Sequence, residues 1–131
     1  MGLGNVAKLT PFFQTAINAT LNMKGNPLVS WALGCTVITA LVGSGSGGAM
    51  LSCELLAEQY LAMGLNPEIL HRICTCAVVV FDSLPWNGVI CTMLAVCDLS
   101  HKDGYGDLFM VSVVCNGLGL ILCTMLGVML Y

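Results

Sequence analysis

The chain has 131 residues, of which 57% are hydrophobic and 8% are charged, and its formal net charge is −3. Ordinary soluble domains carry roughly a quarter charged residues, so this chain has too little polar surface to cover itself in water. Its four Lys and Arg residues are scattered, which excludes the basic patch of a nucleic-acid-binding protein. We therefore predict a multi-pass integral protein of the plasma (cytoplasmic) membrane, built as one membrane domain over residues 1–131.

The first segment, residues 1–26, is mixed in character. Apolar residues recur at helical spacing with polar residues between them: Phe12, Phe13, Ala16, Ile17 and Leu21. This pattern predicts an interfacial or partial helix. The segment lacks a basic start followed by an apolar block and a small-residue cleavage site, so we expect no cleavable signal peptide.

The second segment, residues 27–65, is apolar but is interrupted at residues 43–48 by the run GSGSGG. The stretch before the run is short for a full crossing, which needs about 20 residues. Helical periodicity resumes after it, with Glu54 and Glu58 on one face. The favoured geometry is a re-entrant helical hairpin with its tip at residues 43–48. The alternative is one long broken span.

The third segment, residues 69–99, is long enough to cross once but carries a break at residues 82–88. The break contains helix-breaking and polar residues: Asp82, Pro85, Asn87 and Gly88. Proline removes a backbone hydrogen bond from a helix interior, and glycine weakens the helix further. We therefore expect a broken transmembrane helix.

The end of the chain is predicted as a polar loop followed by one span. Residues 100–107, SHKDGYGD, have loop composition. Residues 108–131 contain no charged residue and no His, and as a helix they reach about 36 Å, more than the hydrocarbon core of about 30 Å. We expect a terminal transmembrane helix here.

The two breaks point to a shared polar site. Irregular backbone at membrane depth survives only where protein or an aqueous cavity covers it. The free N–H groups at the start of each second half-helix carry partial positive charge and can hold an anion, which is a recurrent device of secondary transporters.

Candidate residues follow from this hypothesis. Those proposed to bind substrate come from both breaks: Gly43, Ser44, Gly45, Ser46, Gly47, Gly48, Ser83, Pro85, Asn87 and Gly88. Asp82 is assigned to coupling, because an ionisable residue amid apolar sequence indicates an ion, proton or substrate partner. The structural alternatives are that the glycines only pack helices and that Asp82 only caps a helix.

The eight cysteines lie mostly in apolar runs, where cysteine serves as a small packing residue. Cys74 and Cys76 lack a second Cys or His pair at zinc-site spacing. We predict neither a metal site nor a cofactor. His71 and His101 have no recognisable nucleophile beside them in the sequence, so we predict no enzyme.

Four ordered stretches resemble the C-terminal part of the gluconate:proton symporter (GntP) family of the ion-transporter superfamily: GSGSGG, GLNPEILHRI, DSLPWNG and LSHKDGYGDLFMVSVV. The match is strongest over residues 43–114. The resemblance implies a permease that moves gluconate or related small carboxylates with protons, built from inverted repeats with hairpins and broken helices. Residues 43–48 would line the substrate site, and residues 82–88 would form the opposing break.

Two departures from the family pattern affect this interpretation. Trp86 stands where the family has His. The chain also corresponds to roughly the last third of a complete member, and one repeat cannot enclose a site alone. We therefore expect a partner carrying the N-terminal half, or a homo-oligomer. The alternative function is a small membrane interaction subunit or an inactive remnant, in which the glycines only pack helices.

Overall fold

The computed structural model describes residues 11, 15, 18–20, 22, 23 and 25–130. Within these residues the chain is helical and contains no strand, which confirms the predicted all-α class. The interfacial helix predicted for residues 1–26 lies almost wholly outside the described residues. The helices are α1 (Pro27–Val42), α2 (Gly45–Ala62), α3 (Pro67–Val80), α4 (Gly88–Val96), α5 (His101–Phe109), a π-helix (Met110–Cys115) and α6 (Asn116–Leu130).

Helices α1 and α3 begin in the same way, at an Asn-Pro pair. Asn26 accepts a hydrogen bond from the Leu28 N–H at 2.9 Å, and Asn66 accepts one from the Glu68 N–H at 2.8 Å. Each Asn thereby satisfies an N–H group that has no partner inside the helix. The proline that follows each Asn has its φ angle already set for the first helical turn.

A two-residue bend joins α1 to α2. Gly43 ends α1 with φ of 67°, a left-handed conformation that glycine adopts readily, and Ser44 caps α2. The Ser30 and Tyr60 hydroxyls lie 2.7 Å apart near the open end of the two helices. These contacts make α1 and α2 an antiparallel helical hairpin, while its re-entry into a membrane stays a prediction.

Helix α3 packs against both arms of the hairpin and runs parallel to α1. The Trp31 indole N–H donates to the Leu70 carbonyl at 2.8 Å, and one turn further along Cys35 lies beside Cys74. Trp31 also makes an edge-to-face ring contact with Tyr60, with ring centroids 5.2 Å apart. The three helices therefore share one apolar core, and they fix where the ends of α1 and α3 meet.

Residues 81–87, between α3 and α4, are not helical, whereas the break was predicted at residues 82–88. That these two helices together form a broken transmembrane helix stays a prediction. The prediction of a polar loop at residues 100–107 is wrong, because α5 begins at His101 and continues through the π-helix into α6. The Ser100 hydroxyl bonds to the Asp103 carboxylate, and the Gly104 N–H bonds to the Ser100 carbonyl at 3.1 Å. These local bonds start the helix within polar sequence.

The continuous helix over residues 101–130 is long and apolar enough to cross a membrane, and α1 is apolar but shorter. Its last part, α6, packs on α3 and α1. A Cβ atom added to Gly127 would lie 3.0 Å from Ile69, so the two helices approach closely there. The opposite face of α6 leaves large apolar side chains exposed: Ile121, Leu122, Met125, Leu126 and Met129. Such a face suits contact with lipid or with further protein.

Candidate substrate site at the junction of the two breaks

The bend between α1 and α2 and the break between α3 and α4 meet in the folded chain. We call residues 43–48 and 81–88 together the junction. The Gly45 N–H donates to the Asp82 carboxylate Oδ1 at 2.6 Å. This hydrogen bond joins two residues 37 positions apart in the chain and brings the bend and the break together.

The Asn87 side chain bonds to both parts of the junction through its amide nitrogen as a donor, and its amide oxygen serves as an acceptor. Its Nδ2 group donates to the Gly43 carbonyl at 2.9 Å and to Asp82 Oδ1 at 3.1 Å. Its Oδ1 atom accepts from the Val89 N–H at 2.8 Å and so caps α4. The residue is only 4% exposed. Asn87 therefore starts α4 and links the break to the bend.

The predicted hairpin tip at residues 43–48 is narrower in the structure, where only Gly43 and Ser44 lie between the helices. The Ser44 hydroxyl accepts from the Gly47 N–H at 3.3 Å, and the Ser44 carbonyl accepts from the Gly48 N–H at 2.7 Å. This serine cap lets α2 begin at once, so Gly45 to Gly48 form its first turn rather than an open loop. Asp82 lies at the N-terminus of α2, where the helix dipole favours a negative charge.

Close contacts explain two of the glycines. A Cβ atom on Gly45 would lie 2.9 Å from the Asp82 carboxyl carbon, and one on Gly48 would lie 2.8 Å from the Thr39 Cα atom. Any larger residue at these positions would separate the bend from the break or α2 from α1. Gly88 has no neighbour within 4 Å of such an added atom. The hydroxyls of Ser44 and Ser46 lie 3.4 Å apart beside the bend.

Ser83 and Pro85 face a different neighbour, the start of α5, through their backbone carbonyls. The Tyr105 hydroxyl donates to the Ser83 carbonyl at 3.0 Å, and His101 Nε2 lies 3.0 Å from the Pro85 carbonyl. Sequence reasoning missed Tyr105 and His101 as neighbours of the break, because it placed them in a loop. The Ser-x-x-Asp spacing at Ser100 and Asp103 was the available signal for a helix start.

Trp86 lies over the bend with its side chain 63% exposed. A Cβ atom built on Gly43 would lie 3.5 Å from the indole Cδ1. Trp86 therefore covers one side of the junction with an aromatic ring.

The charge of Asp82 is held by hydrogen-bond donors rather than by a cation. Within residues 25–130 the recorded ion pair joins Glu68 to Arg72, on the exposed first turns of α3. The part of the chain that the structure describes contains no group of three His, Cys, Asp or Glu side chains arranged to hold a metal ion. The Gly45 N–H, the Asn87 amide and the α2 N-terminus are thus the groups that stabilise this carboxylate.

Comparison with known proteins gives two relatives, both from Bacillus subtilis (strain 168). The chain is 32% identical over 117 residues to an uncharacterized transporter, YxjC, which covers 86% of this chain and 25% of the relative. It is 27% identical over 113 residues to a Mg(2+)/citrate complex secondary transporter, which covers 83% of this chain and 25% of the relative. The chain thus spans about a quarter of the length of these relatives.

No family model matches the chain, and no solved structure matches it. Similarity to two transporters supports the predicted transporter class and the membrane setting. It does not single out the gluconate:proton symporter family.

Proposed function

We propose that this chain is part of a secondary transporter for small organic acids and that the junction binds the carboxylate. The observation that carries the proposal is the meeting of the two breaks, with the first turn of α2 directed at a part-buried, hydrogen-bonded polar cluster. The N-terminus of a helix is suited to hold an anion, because its backbone N–H groups point outward and its dipole favours negative charge. Similarity to transporters over most of the chain supports the same function.

The proposed substrate is a small hydroxy acid. One relative is named for a complex of Mg(2+) and citrate, and the quoted motifs resemble a gluconate permease family. Both acids combine carboxyl and hydroxyl groups. At the junction, backbone N–H groups of the first α2 turn would hold the carboxylate, while the Ser44 and Ser46 hydroxyls would bond to substrate hydroxyls. Asp82 would carry the coupling proton.

The arrangement in the membrane is part of the proposal. The α1–α2 hairpin would enter and leave on one side, the broken helix and the helix over residues 101–130 would cross, and the chain would be multi-pass. Because the chain spans about a quarter of its relatives, further protein would complete the site. That protein would be an N-terminal transporter half or further copies of this chain, packed on the exposed apolar faces of α4 and α6.

Uptake into liposomes tests this function. The chain, alone and together with a co-expressed N-terminal half, is reconstituted and given radiolabelled gluconate or citrate under an inward proton gradient. We expect gradient-driven uptake that Asp82→Asn abolishes. Asp98→Asn, an acidic position between α4 and α5 outside the junction, is the matched control and should retain uptake. Undiminished uptake by the Asp82 variant would remove the coupling role.

A second candidate function, a membrane subunit whose glycines only pack helices, is favoured by one observation. Gly34 and Gly48 leave no room for a Cβ atom against the neighbouring helix. Under this alternative, Gly48→Ala disrupts assembly, while the double variant Ser44→Ala, Ser46→Ala loses the α2 cap but leaves assembly and ligand binding unchanged. Under the transporter function, the double serine variant weakens acid binding without loss of folding.

A further inference from the structure

Asp82 occupies the position at which the proposed substrate would bind. Its carboxylate already accepts the Gly45 N–H, the first N–H of α2, at 2.6 Å. Resting on the proposed function, we propose that Asp82 is an internal carboxylate that closes the junction, and that a substrate carboxylate replaces it at Gly45 once Asp82 is protonated.

The bond that closes the junction is strong while Asp82 is ionised. A hydrogen bond to an ionised carboxylate is stronger than one to a neutral carboxyl group. The N-terminus of α2, an 18-residue helix, adds a favourable interaction that depends on the negative charge. Protonation of Asp82 removes both contributions, so the bend and the break are held less tightly when this side chain is neutral.

One N–H group cannot serve two carboxylates. A substrate anion placed against Gly45 while Asp82 is ionised would bring two negative charges together. Each charge would disfavour the presence of the other. Substrate binding and ionisation of Asp82 therefore exclude each other. Asp82 therefore takes up one proton for each anion that binds, and it keeps this proton while the anion is bound. Anion and proton thus enter the junction together.

Few other ionisable side chains of the described residues bond to the junction. The first turn of α2 carries none, and α1 carries only Cys35. The side chains that touch the break from elsewhere are Cys91, His101 and Tyr105, each bonded to a backbone carbonyl of Ser83 or Pro85. The described Lys and Arg residues form no ion pair with Asp82. Because His101 is ionisable and contacts the break, the experiment needs a His101 variant as a control.

Trp86 supplies a readout that needs no substrate. Its indole covers Gly43, two residues before Gly45, whose N–H donates to Asp82. Opening of the Gly45–Asp82 bond changes the contact between Gly43 and the indole, and so changes Trp86 fluorescence. The other tryptophan, Trp31, is buried at 1% exposure, and a Trp86→Phe variant measures its separate contribution.

The experiment follows Trp86 emission of the full chain in lipid nanodiscs from acidic to neutral pH. We expect one transition in the unsubstituted chain and its loss in Asp82→Asn, which keeps the size and the acceptor oxygen of the side chain but no charge. The His101→Asn control should keep the transition. A transition that survives in Asp82→Asn, or no transition in the unsubstituted chain, would overturn closure by Asp82. Circular dichroism verifies that the variants are folded.

The second arm measures binding of gluconate, which has a single carboxyl group, in the same samples. In the unsubstituted chain, affinity should fall by about tenfold per pH unit above the Trp86 transition, as linkage to one proton requires. In Asp82→Asn it should be independent of pH. Affinity independent of pH in the unsubstituted chain would overturn the exchange. No gluconate binding at any pH, with the Trp86 transition intact, would instead refute the proposed substrate and support closure by Asp82.

Discussion

Replacing Asn87 by Ala tests how strongly the two breaks are joined, and Asn66 provides a matched control. Both asparagines cap a helix by accepting the N–H two residues ahead, at 2.8 Å in each case. The exposed Asn66 side chain makes only this bond within the described residues, whereas the Asn87 side chain also donates to the Gly43 carbonyl and to Asp82. The difference between the two variants isolates the bonds across the junction.

The magnitudes can be assigned from these contacts. Loss of a helix cap costs about 1 kcal/mol, which is the whole expectation for Asn66→Ala. Asn87→Ala loses the same cap and also leaves the part-buried Gly43 carbonyl without its donor, which costs about 1–3 kcal/mol more. We therefore expect Asn87→Ala to destabilise the chain by about 2–4 kcal/mol in total.

Unfolding by sodium dodecyl sulfate from mild-detergent micelles, followed by circular dichroism, measures both variants. Asn87→Ala should unfold at clearly lower denaturant than Asn66→Ala. Equal midpoints for the two variants would show that the bonds to Gly43 and Asp82 contribute nothing, and would refute the reasoning that Asn87 joins the breaks.

Two further changes test neighbouring contacts. Gly48→Ala places a Cβ atom 2.8 Å from the Thr39 Cα atom and should destabilise the hairpin by about 1–3 kcal/mol in the same assay, whereas Gly117→Ala, with no neighbour within 4 Å, should not. Tyr105→Phe removes the bond to the Ser83 carbonyl and should cost about 1 kcal/mol; an unchanged midpoint would mean that α5 does not hold the break.

Local sequence signals predicted much of the helix order. Asn-Pro pairs at residues 26–27 and 66–67 mark helix starts, and Pro85 with Gly88 marks the break, because these residues act on their immediate neighbours. The contact between Gly45 and Asp82 could only be suggested, since the residues are 37 positions apart and their approach depends on how α1, α2 and α3 pack. The expectation of a shared site came from the cost of unpaired backbone groups in lipid.

Composition misled the prediction at two places. Residues 100–107 contain the polar and glycine residues of a loop, yet they form helix. The Asp103 and Gly104 N–H groups bond to the Ser100 carbonyl, and the polar side chains lie in the exposed part of a long helix. The glycine run was predicted as a hairpin tip over residues 43–48. Ser44 instead starts α2 immediately, and the close approach of Asp82 to Gly45 requires a residue without a side chain.

The π-helix at residues 110–115 was not predicted. The Asn116 amide donates to the Ser112 carbonyl at 2.7 Å, and the Ser112 hydroxyl bonds to the Leu108 carbonyl. Such side-chain bonds to the backbone accompany the wider turn, but Ser and Asn at this spacing also occur in regular helices. The sequence pattern alone therefore could not distinguish a π-helix from a regular α-helix here.

A shared site requires contact between the hairpin bend and the helix break in a membrane. Solid-state NMR of the chain in lipid bilayers, labelled with ¹⁵N-glycine and carboxyl-¹³C-aspartate, measures dipolar coupling between the two labels. The contribution of this contact is the difference between the unsubstituted chain and an Asp82→Ala sample. We predict a difference of the strength expected for a carboxylate oxygen 2.6 Å from an amide nitrogen. Identical signals from the two samples would show that the breaks lie apart and would contradict a shared site.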